Sequence, residues 1–226
     1  VSNKINEAMG NLWNCIILDT KVKDGKKVCS IKNKDGNITY FDDIPEESLD
    51  DVVKDIEAKA KKEGKTANEY LDELAELKNR TKPSKSKNPF AKPKGIITKI
   101  PKIADDATKL SLELENEAAE ILAKNGFDIE QNPFVSGVKN PDYKIEGKIF
   151  DCFSPNKPNK SVRNIWSEVA KKIKEEQTKR IILNLKIWEG DIVKLQQQFS
   201  DWAIEGLEEI MYITKDGKIN HLKLTK

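Results

Sequence analysis

The chain has 226 residues, a formal net charge of +2 and one histidine. That length suits one large domain or two small ones, and 37% hydrophobic against 35% charged residues predicts a core small for its surface. The lone His221 excludes two-histidine ribonuclease chemistry, histidine-metal nucleases and zinc hydrolases. Cys15, Cys29 and Cys152 form no C-x-x-C pair, which argues against a zinc site or a disulfide framework. No apolar run approaches the roughly 20 residues that span a bilayer, so no membrane-spanning segment is expected. With Val as first residue and no signal peptide, the chain reads as a piece of a longer polypeptide.

Residues 1–78 form a first α+β unit. Leu12–Leu18 has the look of a strand, and Val28–Phe41 alternates around a turn signal at Asp35-Gly36. Helices are predicted over 47–63 and 67–78 from the spacing of Leu49, Val52, Val53 and Ile56, then Tyr70, Leu71, Leu74 and Leu77. No site chemistry is visible there. Residues 79–102 are rich in Lys, Pro, Ser and Asn and contain no acid, so they read as an extended basic linker. Such a linker is a solvated tether or a strap with affinity for nucleic acid or an acidic partner surface.

Residues 103–226 form the second unit, with helices predicted over 105–125, 161–179 and 191–204. Ile181–Trp188 reads as a central strand covered on both faces, and Ile210–Leu224 as a strand pair turning at Asp216-Gly217. The fold class is α+β: a mixed sheet flanked by helices, with a smaller α+β unit before it.

The most informative stretch of this unit is Asn140–Asp151. A two-residue turn at Glu146-Gly147 pairs 145 with 148, 144 with 149, 143 with 150 and 142 with 151. Directly opposed side chains lie roughly 5 Å apart on one face. Asp142 and Asp151 so placed repel unless a proton or a cation lies between them. A hard divalent cation such as Mg²⁺ answers that need and points to metal-assisted phosphodiester chemistry. Cys152 should face away as a small core residue. Pro141-Asp142 with Glu146-Gly-Lys148 spells a Pro-Asp…Glu-x-Lys signature, but a glutamate at the hairpin tip points away from the pair.

Glu115 shares or borders the buried face set by Leu114, Ala118, Ile121 and Leu122. It is either a third metal-site acid or a flank residue reaching outward. Lys172 lies near the edge of the stripe Ile165, Val169, Ile173, whereas Lys171 and Lys174 point off it. A lysine there could polarise water and stabilise phosphate charge. Snorkelling explains it equally well.

A family resemblance rests on blocks in order: Glu115-Asn-Glu-Ala-Ala, Glu130-Gln-Asn-Pro, Asn140-Pro-Asp-Tyr, Phe150-Asp-Cys-Phe-Ser-Pro, Lys172-Ile-Lys and Arg180-Ile-Ile-Leu-Asn-Leu. Residues 103–226 resemble the C-terminal tRNA nuclease domain of contact-dependent growth-inhibition toxins. The resemblance implies a restriction-endonuclease-like core of the PD-(D/E)xK type. It further implies Glu115, Asp142 and Asp151 as metal-site acids, Lys172 as the catalytic lysine, and Mg²⁺ or another divalent ion such as Mn²⁺ or Zn²⁺. Its partners would be a tRNA substrate and a cognate immunity protein. Cys152-Phe153 follows Asp151, so no lysine stands two residues on, a departure from the broader superfamily pattern. The domain would belong to a larger exported or cell-surface effector and act in the target-cell cytoplasm, with residues 1–78 helping it enter. A DNA endonuclease of the same fold, or a non-catalytic interaction module of a secreted or phage-like protein, are the alternatives. Oligomeric state is not legible.

Overall fold

The computed structural model describes residues 16–33, 39–137, 140–176 and 178–224. The chain divides into two units, Val1–Arg80 and Thr81–Lys226. In the first, β1 (Ile16–Lys23), β2 (Lys26–Asn33) and β3 (Thr39–Pro45) form an antiparallel sheet in that order. Asp24 and Gly25 make the β1–β2 turn with φ of 50° and 74°. Asp-Gly suits such a turn because glycine carries no Cβ and aspartate tolerates the left-handed region. The turn expected at Asp35-Gly36, like residues 12–15 of the first apolar run, lies outside the described residues. Helices α1 (Leu49–Lys62) and α2 (Ala67–Asn79) follow, close to their predicted bounds. Leu49, Val53, Ile56 and Leu71 pack with Ile31 and Ile44 into the core of this unit. Thr66 and Glu69 start α2 with a reciprocal capping box.

Among the described residues, the second unit is built on a seven-stranded mixed sheet. In chain order its elements are β4 (Lys94–Gly95), α3 (Asp106–Lys124), β5 (Ile129–Gln131), β6 (Tyr143–Ile145), β7 (Lys148–Phe153), α4 (Val162–Glu176), β8 (Arg180–Asn184), α5 (Ile192–Asp201), β9 (Glu209–Ile213) and β10 (Ile219–His221). Across the sheet the strands run β10-β9-β8-β7-β6-β5-β4. Strands β7, β8 and β9 are parallel, and β6 is antiparallel to β5 and β7. One core cluster joins Ala118, Ala119 and Leu122 of α3 to Tyr143, Phe150, Cys152, Ile182 and Met211. On the opposite face Ile165 and Val169 of α4, with Leu195 and Phe199 of α5, cover Ile181, Leu183 and Ile210. This is the expected α+β mixed sheet flanked by helices. Among the described residues no helix is long and apolar enough to cross a membrane.

Helix α4 is helical to Glu176 rather than to 179, and two further boundaries differ from expectation for local reasons. Strand β8 stops at Asn184 rather than running to Trp188, because the Asn184 side-chain oxygen accepts from Lys186 N–H and turns the chain. Trp188 still packs into the core, with its indole N–H donating to Lys160 C=O at 2.7 Å. Helix α5 ends at Asp201, short of the predicted 204, and Trp202 adopts a non-helical φ of −122° and ψ of 85°.

Residues 81–102 are extended, as their composition suggests, but they lie along the second unit as a strap. Ser84 N–H and hydroxyl both donate to Glu146, Lys85 N–H to Gly126 C=O and Asn88 N–H to Lys124 C=O. The strap begins at a buried clasp, where Thr81 N–H and hydroxyl donate to Glu209 Oε1 and Oε2 at 2.6 and 2.8 Å. His221 Nε2 lies 3.2 Å from Glu209 Oε1. Burial pushes the Glu209 carboxyl up, but bonds from His221 and Thr81 outweigh it and hold it below its ordinary value of 4.5. A depressed carboxyl stabilises the fold above its unfolded pKa and loses that contribution as pH falls through the folded one. Glu209→Gln is therefore expected to lower stability by about 1–3 kcal/mol near neutral pH. The deficit should shrink in urea titrations below the ordinary value of 4.5.

Candidate active site

Hairpin β6–β7 has the register read from its turn: Tyr143 faces Phe150, Lys144 faces Ile149 and Ile145 faces Lys148. Extending it by one residue sets Asp142 beside Asp151. Asp142 N–H donates to Asp151 Oδ1 at 3.3 Å, and Asp142 Oδ2 accepts from Cys152 N–H at 2.7 Å. Each aspartate thus fixes the other's strand. Asp151 is 1% exposed.

Lys172 reaches the pair from α4, its Nζ 3.9 Å from Asp142 Oδ2. Its neighbours Lys171 and Lys174 are exposed, whereas Lys172 is half-buried. Helical spacing therefore separates one inward lysine from two solvated ones.

Glu115 stands on α3. It is anchored by Thr98, whose hydroxyl donates to Glu115 Oε1 at 2.5 Å, and its backbone carbonyl accepts from the Tyr143 hydroxyl. Burial pushes the Cys152 thiol up to about 12, reinforced by the Asp142 charge and, more weakly, by Glu115. A thiol so raised stays protonated and is no nucleophile, in keeping with Cys152 as a core residue. Burial also raises the Tyr143 hydroxyl, with Glu115 and Asp142 among the charges adding to it. Both carboxylates therefore project negative potential onto the same two buried groups.

Among the described residues no three His, Cys, Asp or Glu side chains are gathered into a group that could hold a metal ion. The donor chemistry nevertheless suits a hard cation, because Asp142 and Asp151 present carboxylate oxygens along one hairpin. That pair fits one side of an oxygen shell. Glu146, the acid of the literal tip signature, accepts from Ser84 and from Asp128 N–H and lies apart from the pair.

Residues 139–219 match the family described as the contact-dependent growth inhibition CdiA C-terminal domain. The chain is 38% identical over 129 residues to "tRNA nuclease CdiA-2" of Burkholderia pseudomallei (strain 1026b), covering 57% of this chain and 4% of that relative. It also matches a chain of a solved "CdiA-CT/CdiI toxin and immunity complex" from Burkholderia pseudomallei. That match has 37% identity and a TM-score of 0.54, over 58% of this chain and 98% of that one. The chain belongs, through its C-terminal unit, to the CdiA C-terminal toxin domains.

Within this CdiA C-terminal domain, sequence reading missed the polar side chains gathered around Glu115 and Thr98. Asn116 follows Glu115 on α3 and grips Thr98 through its backbone N–H and C=O at 3.0 and 2.9 Å. Gln131 donates to Asn116 and Asn132 donates to the Thr98 hydroxyl. Gln131 and Asn132 sit in the Glu130-Gln-Asn-Pro block, so a signal existed for them. Thr98 lies in a segment read only by composition and carried none.

Proposed function

We propose that the C-terminal unit is a metal-dependent tRNA endonuclease, the toxin module of a longer CdiA effector in inter-bacterial competition. The observation that carries this reading is the pairing of Asp142 with Asp151 beside Lys172, in a domain similar to a named tRNA nuclease. The restriction-endonuclease-like PD-(D/E)xK assignment rests on the same carboxylates. Asp142 and Asp151 would hold Mg²⁺ or a similar ion, with Glu115 as third acid. Such an ion supplies an activated water and offsets charge on the scissile phosphate.

Lys172 provides a fixed positive charge beside the aspartates, placed to stabilise a phosphate oxygen. Phe153 lies on the same face of β7 as Asp151, and Lys160 Nζ sits 5.2 Å from its ring centroid. Lys160 and the exposed Lys157 are thus suited to the substrate backbone. Folded RNA is recognised largely by shape and phosphate path. A cognate immunity protein is the expected partner, as for the toxin of the solved complex. The unit would act in the target-cell cytoplasm, and residues 1–78 would help it enter.

Competition between substrates tests the reading. In Mg²⁺, labelled tRNA should be cut to discrete fragments, with unlabelled tRNA competing far better than duplex DNA. Preferential cleavage of the duplex would transfer the site to DNA. Cleavage of neither would favour a non-catalytic interaction module.

A further inference from the structure

We propose that Thr98 is a positioning residue of the active site, the side chain that sets where the Glu115 carboxylate stands. The inference rests on the nuclease reading above and extends it to a segment upstream of the matched residues 139–219.

The hydrogen-bond roles around Thr98 are fixed by its neighbours. Asn132 Nδ2 donates at 2.7 Å to Ile96 C=O, which can only accept, so that atom is the amide nitrogen. The same nitrogen lies 2.9 Å from the Thr98 hydroxyl, which must therefore accept from it. The single hydroxyl hydrogen is left for Glu115 Oε1. Thr98 is thus a dedicated donor to this carboxylate, and bonds of that kind are about twice as strong as neutral ones.

The backbone holding Thr98 is equally determined. Asn116 takes both its N–H and its C=O, and Gln131 donates to the Asn116 side-chain oxygen at 2.9 Å. Just upstream, Ile96 N–H donates to Gln131 C=O. Gly95 runs so close that a Cβ there would lie 2.1 Å from Gln131 O, at a φ of +81° that also favours glycine. Only one short stretch of chain meets these demands together. The end of the basic strap is therefore part of the site wall, and its composition gave no hint of that role.

The test uses the full chain with Thr98→Val, Thr98→Ser and, as control, Glu115→Gln. Mn²⁺ binding is read from the electron paramagnetic resonance signal of the unbound ion, and tRNA cleavage is measured in parallel. Thr98→Val should weaken Mn²⁺ binding and lower kcat by about tenfold, the effect of one lost charge-assisted bond. KM for tRNA should be unchanged, and Thr98→Ser should recover most of the loss. Wild-type binding and kcat in Thr98→Val, with Glu115→Gln impaired, would overturn the role of Thr98 and leave the nuclease reading standing. No Mn²⁺ binding or cleavage in the wild type would instead remove the nuclease reading. Should Thr98→Val fail to fold by circular dichroism, Thr98→Ser decides. A serine variant as impaired as Glu115→Gln would mean that the hydroxyl is not what matters.

Discussion

Asp142→Asn and Asp151→Asn should each lower tRNA cleavage by at least about a thousandfold, roughly 4 kcal/mol of transition-state stabilisation. Asparagine keeps the shape of aspartate but removes the charge that holds a cation. The hairpin itself should survive in Asp142→Asn, because the new amide oxygen can still accept from Cys152 N–H, as Asp142 Oδ2 does at 2.7 Å. Thermal unfolding should therefore stay close to the wild-type temperature, since the repulsion from Asp151 that is relieved is offset by the lost attraction to Lys172, 3.9 Å away. Loss of activity with retained stability would place both residues in the chemistry. A parallel fall in melting temperature would make them structural.

The second large effect concerns the core that sets the hairpin. Phe150 is fully buried on β7, opposite Tyr143, and packs with Ala118 and Leu122 of α3. Phe150→Ala is expected to cost about 3–5 kcal/mol through lost burial and the cavity left behind. That is a large fraction of the roughly 5–15 kcal/mol that holds a typical domain folded. In urea the midpoint should fall with the slope unchanged. Cleavage should fall too, but unlike the aspartate losses it should recover on cooling or in a stabilising osmolyte. A loss of stability below about 1 kcal/mol would mean that the α3 face of the sheet is loosely packed.

Much of this arrangement is local, which explains what could be read in advance. The register of β6–β7 follows from a two-residue turn, so the neighbours Asp142 and Asp151 were legible from Glu146-Gly147 alone. Helical periodicity separated Lys172 from Lys171 and Lys174 for the same reason. The strap was not legible, because its partners are distant in sequence and its residues carry no periodicity. Thr81 meets Glu209 across 128 positions, and Thr98 meets Glu115 across 17. The early end of β8 was hidden for a different reason. An apolar run does not say where a strand becomes a buried turn, and here the turn rests on the Asn184 side chain. In the first unit, Asp24-Gly25 carried as good a turn signal as Asp35-Gly36, and it is the turn that joins β1 to β2.

Exposure of total tRNA to the purified protein, in Mg²⁺ and in excess EDTA, tests the central claim most directly. The expected result is a small set of discrete fragments in Mg²⁺ and intact tRNA in EDTA. Intact tRNA in both lanes, or equal cleavage in both, would contradict a carboxylate-held cation at Asp142 and Asp151 as the source of activity.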